Sequence, residues 1–183
     1  SLHSHPRDMI PLGSSIAQLM RAGAEFCVVG PPDGMKAALG LDREPLSTGP
    51  MDIKDWPLGL AQNIGIGIAP LADTAFNSSK SWLKILEMSA CGIPWIASPR
   101  AEYRLLHDME GVGFLAERPK EWLRHLRELV RNESLRVEMS EAGRCVVAER
   151  HTIEANAWRL WEAWSDALRA ERSSRGSAFS LRG

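Results

Sequence analysis

Residues 64–103, IGIGIAPLADTAFNSSKSWLKILEMSACGIPWIASPRAEY, decide the fold. The apolar run Ile64–Pro70 predicts a buried strand, and Gly65 and Gly67 inside it leave room for close backbone approach. A polar loop, residues 72–79, leads into a helix expected over residues 79–91, with Asn77 or Ser78 as its N-cap. Gly92 ends that helix, and Ile93–Ala97 predicts a second strand. At about 100° per residue, Lys80, Lys84 and Glu87 fall within roughly 60° of one another on the helix. Trp82, Leu83, Ile85, Leu86, Met88 and Ala90 cover nearly every other direction. A helix apolar almost all round is buried, and buried charges are paired or face a polar cavity. The stripe therefore predicts a cleft lined by two ammonium groups and a carboxylate, suited to a phosphorylated, hydroxyl-bearing ligand.

The flanking sequence repeats the alternation of strand and helix. Upstream, a loop-like opening over residues 1–13 leads into a helix near Asp8–Arg21. The run Ala24–Gly30 reads as a strand, Asp33–Leu41 as a short helix, Pro45–Ser47 as a brief strand and Trp56–Gln62 as a helical turn. Downstream, a helix over Arg100–His107, a strand over Val112–Ala116 and helices over Pro119–Arg131, Glu133–Glu149 and Thr152–Arg172 are expected. Together they predict an α/β protein with an open, mostly parallel sheet covered by helices on both faces. Such sheets bind ligands beyond the carboxyl ends of their strands. The organisation expected is a Rossmann-like domain over residues 1–150, a C-terminal helix over 151–172 and a disordered Ser-, Gly- and Arg-rich tail over 173–183.

The chain has 183 residues, 44% apolar and 25% charged, with a formal net charge of −1. That length suits one domain, and the charge offers no global positive field for nucleic acid or an anionic membrane. No apolar run approaches the ~20 residues of a membrane span. The opening SLHSHPRDM lacks a signal peptide's layout and an initiator Met, so the true N-terminus is expected upstream. Cys27, Cys91 and Cys145 are odd in number and show no metal-ligand spacing, which predicts buried thiols in a reducing, cytoplasmic setting and no metal site. Oligomeric state is not legible.

Unpaired N–H groups and the dipole at a helix start favour an anion. The segment Asn77-Ser78-Ser79-Lys80-Ser81 adds hydroxyls and an ammonium. Neither G-x-x-x-x-G-K-[ST] nor a helix-opening G-x-G-x-x-G is present. Deeper in the helix, the carboxylate of Glu87 is suited to accept two neighbouring hydroxyls, as a ribose presents. Phosphate at the helix start and ribose two turns in would lay a nucleoside diphosphate along the helix. The alternative is a structural pair of Lys80 or Lys84 with Glu87 on a partly exposed helix.

The succession GIAPL, Asp73, Phe76-Asn77, KS-W-LK-x-LE-x-x-ACGIP-x-IAS and Tyr103 resembles the C-terminal, nucleotide-sugar-binding half of GT-B glycosyltransferases. The likeness is to the family 4 retaining enzymes (glycosyl transferases group 1) and to bacterial or phage proteins similar to them. It is strongest over residues 64–103, weaker over 1–63 and general in the helical C-terminus. The resemblance implies a Rossmann-like domain that holds a nucleotide-diphosphate sugar as donor substrate. It further implies transfer to an unknown acceptor with retention, without a metal or other cofactor, and an absent N-terminal GT-B domain that binds the acceptor. It places Glu87 on the ribose. Asn77, Ser79, Lys80 and Ser81 fall on the loop and helix start near the phosphates and sugar, with Lys84 on the same helix. The family's pattern carries a second glutamate eight positions before Glu87, where this chain has Ser79. That departure puts the donor sugar and activity in question, and leaves a non-catalytic nucleotide- or partner-binding domain as the alternative. Epimerase and regulator readings are more distant. The paired basic residues that grip the diphosphate from early loops are not plain; Arg7 is the candidate for one. The opening segment resembles the loop after the domain's first strand.

Other residues carry two readings each. His3 and His5 either contact the ligand or are exposed loop histidines; His107, His125 and His151 read as helix residues. Asp73 bonds a sugar hydroxyl or caps a turn, Tyr103 leans toward the base or packs, and Arg100 reaches the donor or is solvated. Trp158, Trp161 and Trp164, spaced by three, form a docking surface or pack locally. The Arg and Glu residues interleaved between 121 and 138 predict a solvated helical face.

Overall fold

The computed structural model describes residues 6–32 and 34–179, with the side chains of residues 6, 101 and 171–179 outside the description. Contacts divide the chain into two units, residues 1–146 and 147–183.

The first unit is a Rossmann-like α/β body. A 3-10 helix (Pro6–Leu12) precedes α1 (Ser15–Arg21), β1 (Cys27–Val28), α2 (Met35–Leu39), β2 (Leu46–Ser47), α3 (Trp56–Asn63) and β3 (Gly67–Ala69). Next come α4 (Ala75–Ser78), α5 (Leu83–Ala90), β4 (Trp95–Ala97), α6 (Ala101–Glu110), β5 (Phe114–Leu115), α7 (Pro119–Arg131) and α8 (Glu133–Arg150). Every strand pairing is parallel. β4 lies between β3 and β5, with Ile68 opposite Ile96 and Ile96 opposite Phe114, while β1 and β2 form a separate pair.

Period-two alternation along β4 explains the two-faced core. Ile96 enters a cluster with Leu12, Ile16 and Leu19 from one side of the chain's start and Trp122, Leu126 and Leu129 from α7. Trp95 and Ala97 point the other way, into a cluster with Leu60, Ile85, Met88, Tyr103 and Leu106 from α3, α5 and α6. All three β4 residues are buried, as expected for a strand covered on both faces. Burying side chains of the size of Ile96 contributes about 1.5–3 kcal/mol each. The Trp95 indole N–H donates to Ser89 Oγ at 2.9 Å, so the ring is buried without an orphaned donor.

Two glycines sit where the chain packs closely or turns. A Cβ on Gly67 would meet the Met88 side chain, so α5 crosses β3 closely there, whereas Gly65 has open space. Gly92, at φ +69°, ends α5: its N–H reaches Ser89 O (2.9 Å) and the Ile93 N–H reaches Met88 O (2.8 Å). These two bonds form a Schellman motif that turns the chain directly into β4.

Three local expectations are corrected. The helix expected near Asp8–Arg21 is two pieces, because Pro11 lacks a donor and Gly13 takes φ +51°. The helix expected over 79–91 begins only at Leu83 and follows the separate turn α4. Neither Asn77 nor Ser78 caps it: Thr74 caps α4 by accepting the Asn77 N–H at 3.2 Å, and Trp82 precedes α5 without a side-chain cap bond. Serine hydroxyls explain the break, with Ser78 Oγ donating to Thr74 O and Ser79 Oγ to Ala75 O, both at 3.2 Å.

The second unit contains α9 (Ile153–Phe179). The helix runs through residues 173–179, within the segment 173–183 expected as a disordered tail; the stretch RAERSSRGSAF contains no proline. Large apolar side chains on α9 are exposed: Ile153 82%, Leu160 53%, Trp161 70%, Trp164 58% and Leu168 59%. Among the described residues no helix is long and apolar enough to cross a membrane.

Candidate functional site

The site lies where the sheet's carboxyl ends meet the loop after β3. Ser98, just beyond β4, fastens that end: its N–H reaches Ala69 O (3.1 Å) and its hydroxyl accepts the Leu71 N–H (2.9 Å). The chain then turns into the segment 72–82 and α5.

Asp8 organises this segment from the 3-10 helix. Its Oδ1 accepts the Ala72 N–H at 3.1 Å and the Asn77 side-chain amide at 2.6 Å, while Oδ2 meets the Lys80 ammonium at 3.2 Å. Asn77, 3% exposed, also donates to Ala72 O at 2.9 Å, which leaves its buried Oδ1 without a hydrogen-bond partner among the described residues. These three bonds hold the Asp8 carboxyl below its usual value against the opposing effect of burial, which is the largest single influence. The Lys80 ammonium also lies 5.3 Å above the exposed Phe76 ring.

Lys84, in the first turn of α5, has a solvent-accessible side chain. Desolvation first, then the charge of Lys80, push its pKa down from 10.5; Asp8 and Glu87 oppose that shift. Among the described residues no carboxylate comes within ion-pair distance of this ammonium. Glu87, one turn on, is half-buried and accepts the Trp56 indole N–H at 3.4 Å, a long contact. Tyr103 is 3% exposed on α6, packed in the core, and its hydroxyl is pushed up to about 12 by burial, then by the charges of Asp8 and Glu87.

The structure therefore brings Asn77, Lys80, Lys84 and Glu87 to one wall. Ser79 and Ser81 are exposed beside it, and the Ser79 hydroxyl is turned back onto Ala75 O. Arg7 is exposed on the 3-10 helix that carries Asp8. The alternative of a Lys–Glu structural pair is resolved differently for each lysine: Lys80 pairs with Asp8, and Lys84 feels Glu87 only through space. Sequence reasoning missed Asp8 and Trp56. Asp8 acts across 64 to 72 residues of chain, and no periodicity signals such a contact.

The remaining expectations sort plainly. Asp73 is exposed. Arg100 pairs with Glu117 at 3.0 Å, and its buried Nε is without a partner among the described residues. His107 Nδ1 lies 3.0 Å from Val112 O, and His125 stacks on Phe114 at 4.5 Å. Burial, then Arg124, lowers the His125 pKa. His3 and His5 lie outside the described residues. The cysteines are not joined by disulfides, but only Cys27 and Cys91 are partly buried; Cys145, expected inside, is exposed because its position on α8 faces solvent. Two concavities lie apart from the charged wall. One of ≈ 470 Å³ runs along the basic outer side of α7 past Arg124 and Arg127, and one of ≈ 300 Å³ lies among Ile64, Gly92, Arg136 and Arg144. Neither is lined by the residues of the site.

A parallel sheet covered on both faces, with a charged wall at its carboxyl end, defines a Rossmann-like domain with the layout of a ligand-binding site. The chain belongs to the glycosyl transferase-like family, whose model matches residues 61–162. No curated protein matches the sequence. Among solved structures, the chain is similar to WaaG, a glycosyltransferase involved in lipopolysaccharide biosynthesis, with a TM-score of 0.60 and 17% identity. The match covers 80% of this chain and 39% of that one. At that identity the likeness shows a shared GT-B-type fold; this chain spans well under half of its neighbour.

Proposed function

We propose that the chain is the donor-binding half of a GT-B glycosyltransferase that transfers a sugar from a nucleotide-diphosphate sugar to an acceptor held by another domain. The observation that carries this reading is the grouping of Lys80, Lys84 and Glu87 at the carboxyl end of the parallel sheet, with the Lys84 ammonium open to solvent and outside ion-pair distance of any described carboxylate. An ammonium without a protein partner is available to an anionic ligand. Lys80 and the start of α5 lie beside it, and Glu87 lies one turn deeper, in reach of a ribose. In this reading Lys80, Lys84 and Ser81 meet the diphosphate, Glu87 accepts two ribose hydroxyls, and Asn77 shapes the loop through Asp8. Positive groups that meet the leaving diphosphate stabilise the charge that develops on it. Retention, independence of metal and a cytoplasmic setting belong to the same proposal and are supported by the family resemblance.

A second reading is favoured by Ser79. Its exposed hydroxyl is spent on Ala75 O and cannot replace a carboxylate at the donor sugar, which suits a domain that binds a nucleotide or partner without catalysis. Melting the 183-residue chain against a panel of nucleoside diphosphates tests the site common to both readings: ligand saturating at 100 times its Kd should add about 2.7 kcal/mol of stability. A panel in which no nucleoside diphosphate raises the melting temperature at millimolar concentration removes the site. Turnover of a nucleotide-sugar by a longer chain carrying the acceptor domain separates the two readings.

A further inference from the structure

We propose that Asp8 is a resident counter-ion for Lys80, an internal anion that occupies the ammonium until a diphosphate takes its place. The proposal rests on the diphosphate reading above and deepens it.

The two carboxylate oxygens of Asp8 are divided between two tasks. Oδ1 takes the Ala72 N–H and the Asn77 amide, and so shapes the loop; Oδ2 takes Lys80. Lys80 can therefore leave without undoing the loop, and the carboxylate it leaves behind keeps two N–H donors. The two side chains differ in access. That of Asp8 is 9% exposed and fixed, whereas that of Lys80 is 24% exposed and can be reached from solvent. Lys80 also lies in the break between α4 and α5; its N–H is held by Asn77 O at 3.3 Å, so the part free to swing is the side chain beyond it. Its partner is thus the immobile member of the pair, and the lysine the movable one.

The charge balance gives the exchange its direction. Asp8 and Glu87 match Lys80 and Lys84 on this wall, and Tyr103, which also faces Asp8, is neutral at ordinary pH. A wall balanced in this way has no net attraction for an anion at a distance. It gains one only when Lys80 exchanges a single carboxylate charge for the several charges of a diphosphate. A part-exposed ion pair is held only a few-fold over its separated state, so a polyanion can compete for it. Removing the Asp8 charge while keeping an acceptor oxygen for the loop should therefore tighten anion binding.

The test is calorimetric titration of the full 183-residue chain with inorganic pyrophosphate at low ionic strength, comparing wild type, Asp8→Asn, Lys80→Met and the double variant. The expected result is tighter binding by Asp8→Asn, by about three- to tenfold, with the gain abolished in the Lys80→Met background. Carbon NMR of the Asp8 carboxyl supplies a second readout. In wild type, saturating pyrophosphate should shift its titration to higher pH by more than in Lys80→Met, where the anion's charge acts but no ammonium leaves. Unchanged or weaker binding by a folded Asp8→Asn overturns the proposal, as does a gain that persists without Lys80. Should Asp8→Asn fail to fold, an Asp8 titration that pyrophosphate moves no further in wild type than in Lys80→Met overturns it. A wild-type chain that binds neither pyrophosphate nor any nucleoside diphosphate overturns it together with the diphosphate reading; binding with a neutral Asp8→Asn overturns the counter-ion role alone.

Discussion

Glu87→Gln separates a hydroxyl-binding carboxylate from a structural one, because its effect should differ in sign between parts of the same ligand. The substitution keeps an oxygen for Trp56, and that contact is already long at 3.4 Å, so the melting temperature should hardly move. A charged acceptor is worth about 1 kcal/mol more per hydrogen bond than a neutral one. Two ribose hydroxyls therefore lose about 2 kcal/mol, roughly a 30-fold weaker nucleoside. The lost negative charge acts the other way on phosphate. Four residues of helix separate Leu83 from Glu87, about 6 Å along the axis. A phosphate beside the helix start lies at about 8 Å, where unit charges interact by about 0.5–0.8 kcal/mol at an effective dielectric of ~50–80. Physiological salt screens this to about 0.2–0.3 kcal/mol per unit charge, or about 0.5–1 kcal/mol for a diphosphate carrying two to three charges. The expected result in titration calorimetry is a nucleoside weakened about 30-fold, its diphosphate about tenfold, and pyrophosphate alone unchanged or slightly tighter. Equal losses for nucleoside and pyrophosphate, or no loss for either, would refute the reasoning.

Two further perturbations probe charge and capping. Lys84→Met should weaken nucleoside diphosphates about fivefold, and it should abolish a decline in wild-type affinity that sets in as pH rises through a lysine pKa below 10.5. In the same window the unfolded chain binds more protons than the folded one, so wild-type stability rises with pH and the variant's does not; affinity flat to pH 10.5 would exclude Lys84 from the anion. Glu121 accepts the Glu117 and Arg118 N–H groups at 2.9 and 3.1 Å at the start of α7, and its pKa is lowered from 4.5 to about 2. Its contribution is therefore present above pH 4.5 and is lost as pH falls toward 2. Thermal melts of Glu121→Ala should show a loss of about 1 kcal/mol at neutral pH that vanishes at the acid end; a loss independent of pH would contradict the capping account.

The sheet and its helices were legible because period and length speak locally. Pro119 at the first turn of a periodic segment gave α7 its bounds, and the apolar run through Trp95, Ile96 and Ala97 gave a strand buried on both faces. The wall of the site was half legible. Lys84 and Glu87 share a real helix and follow its arithmetic. Lys80 reached the same wall from outside the helix, because serine hydroxyls bonded back to the backbone at Ser78 and Ser79 and broke the segment there. Asp8 was invisible: a single carboxylate in a proline-bearing segment has no period, and its partners are brought to it only by the closed fold.

Five of the chain's seven tryptophans fall into two optical extremes, with Trp56 and Trp82 half-buried between them. Trp95 and Trp122 are 1% and 0% exposed within the first unit, whereas Trp158, Trp161 and Trp164 stand 55%, 70% and 58% open on α9. Emission excited at the indole band is therefore a composite, blue from the core and red from the last helix. Denaturation of the sheet shifts the blue component to longer wavelength, while anything that sheathes α9 draws the red component toward shorter wavelength. A single fluorescence spectrum thus carries separate channels for folding and for assembly.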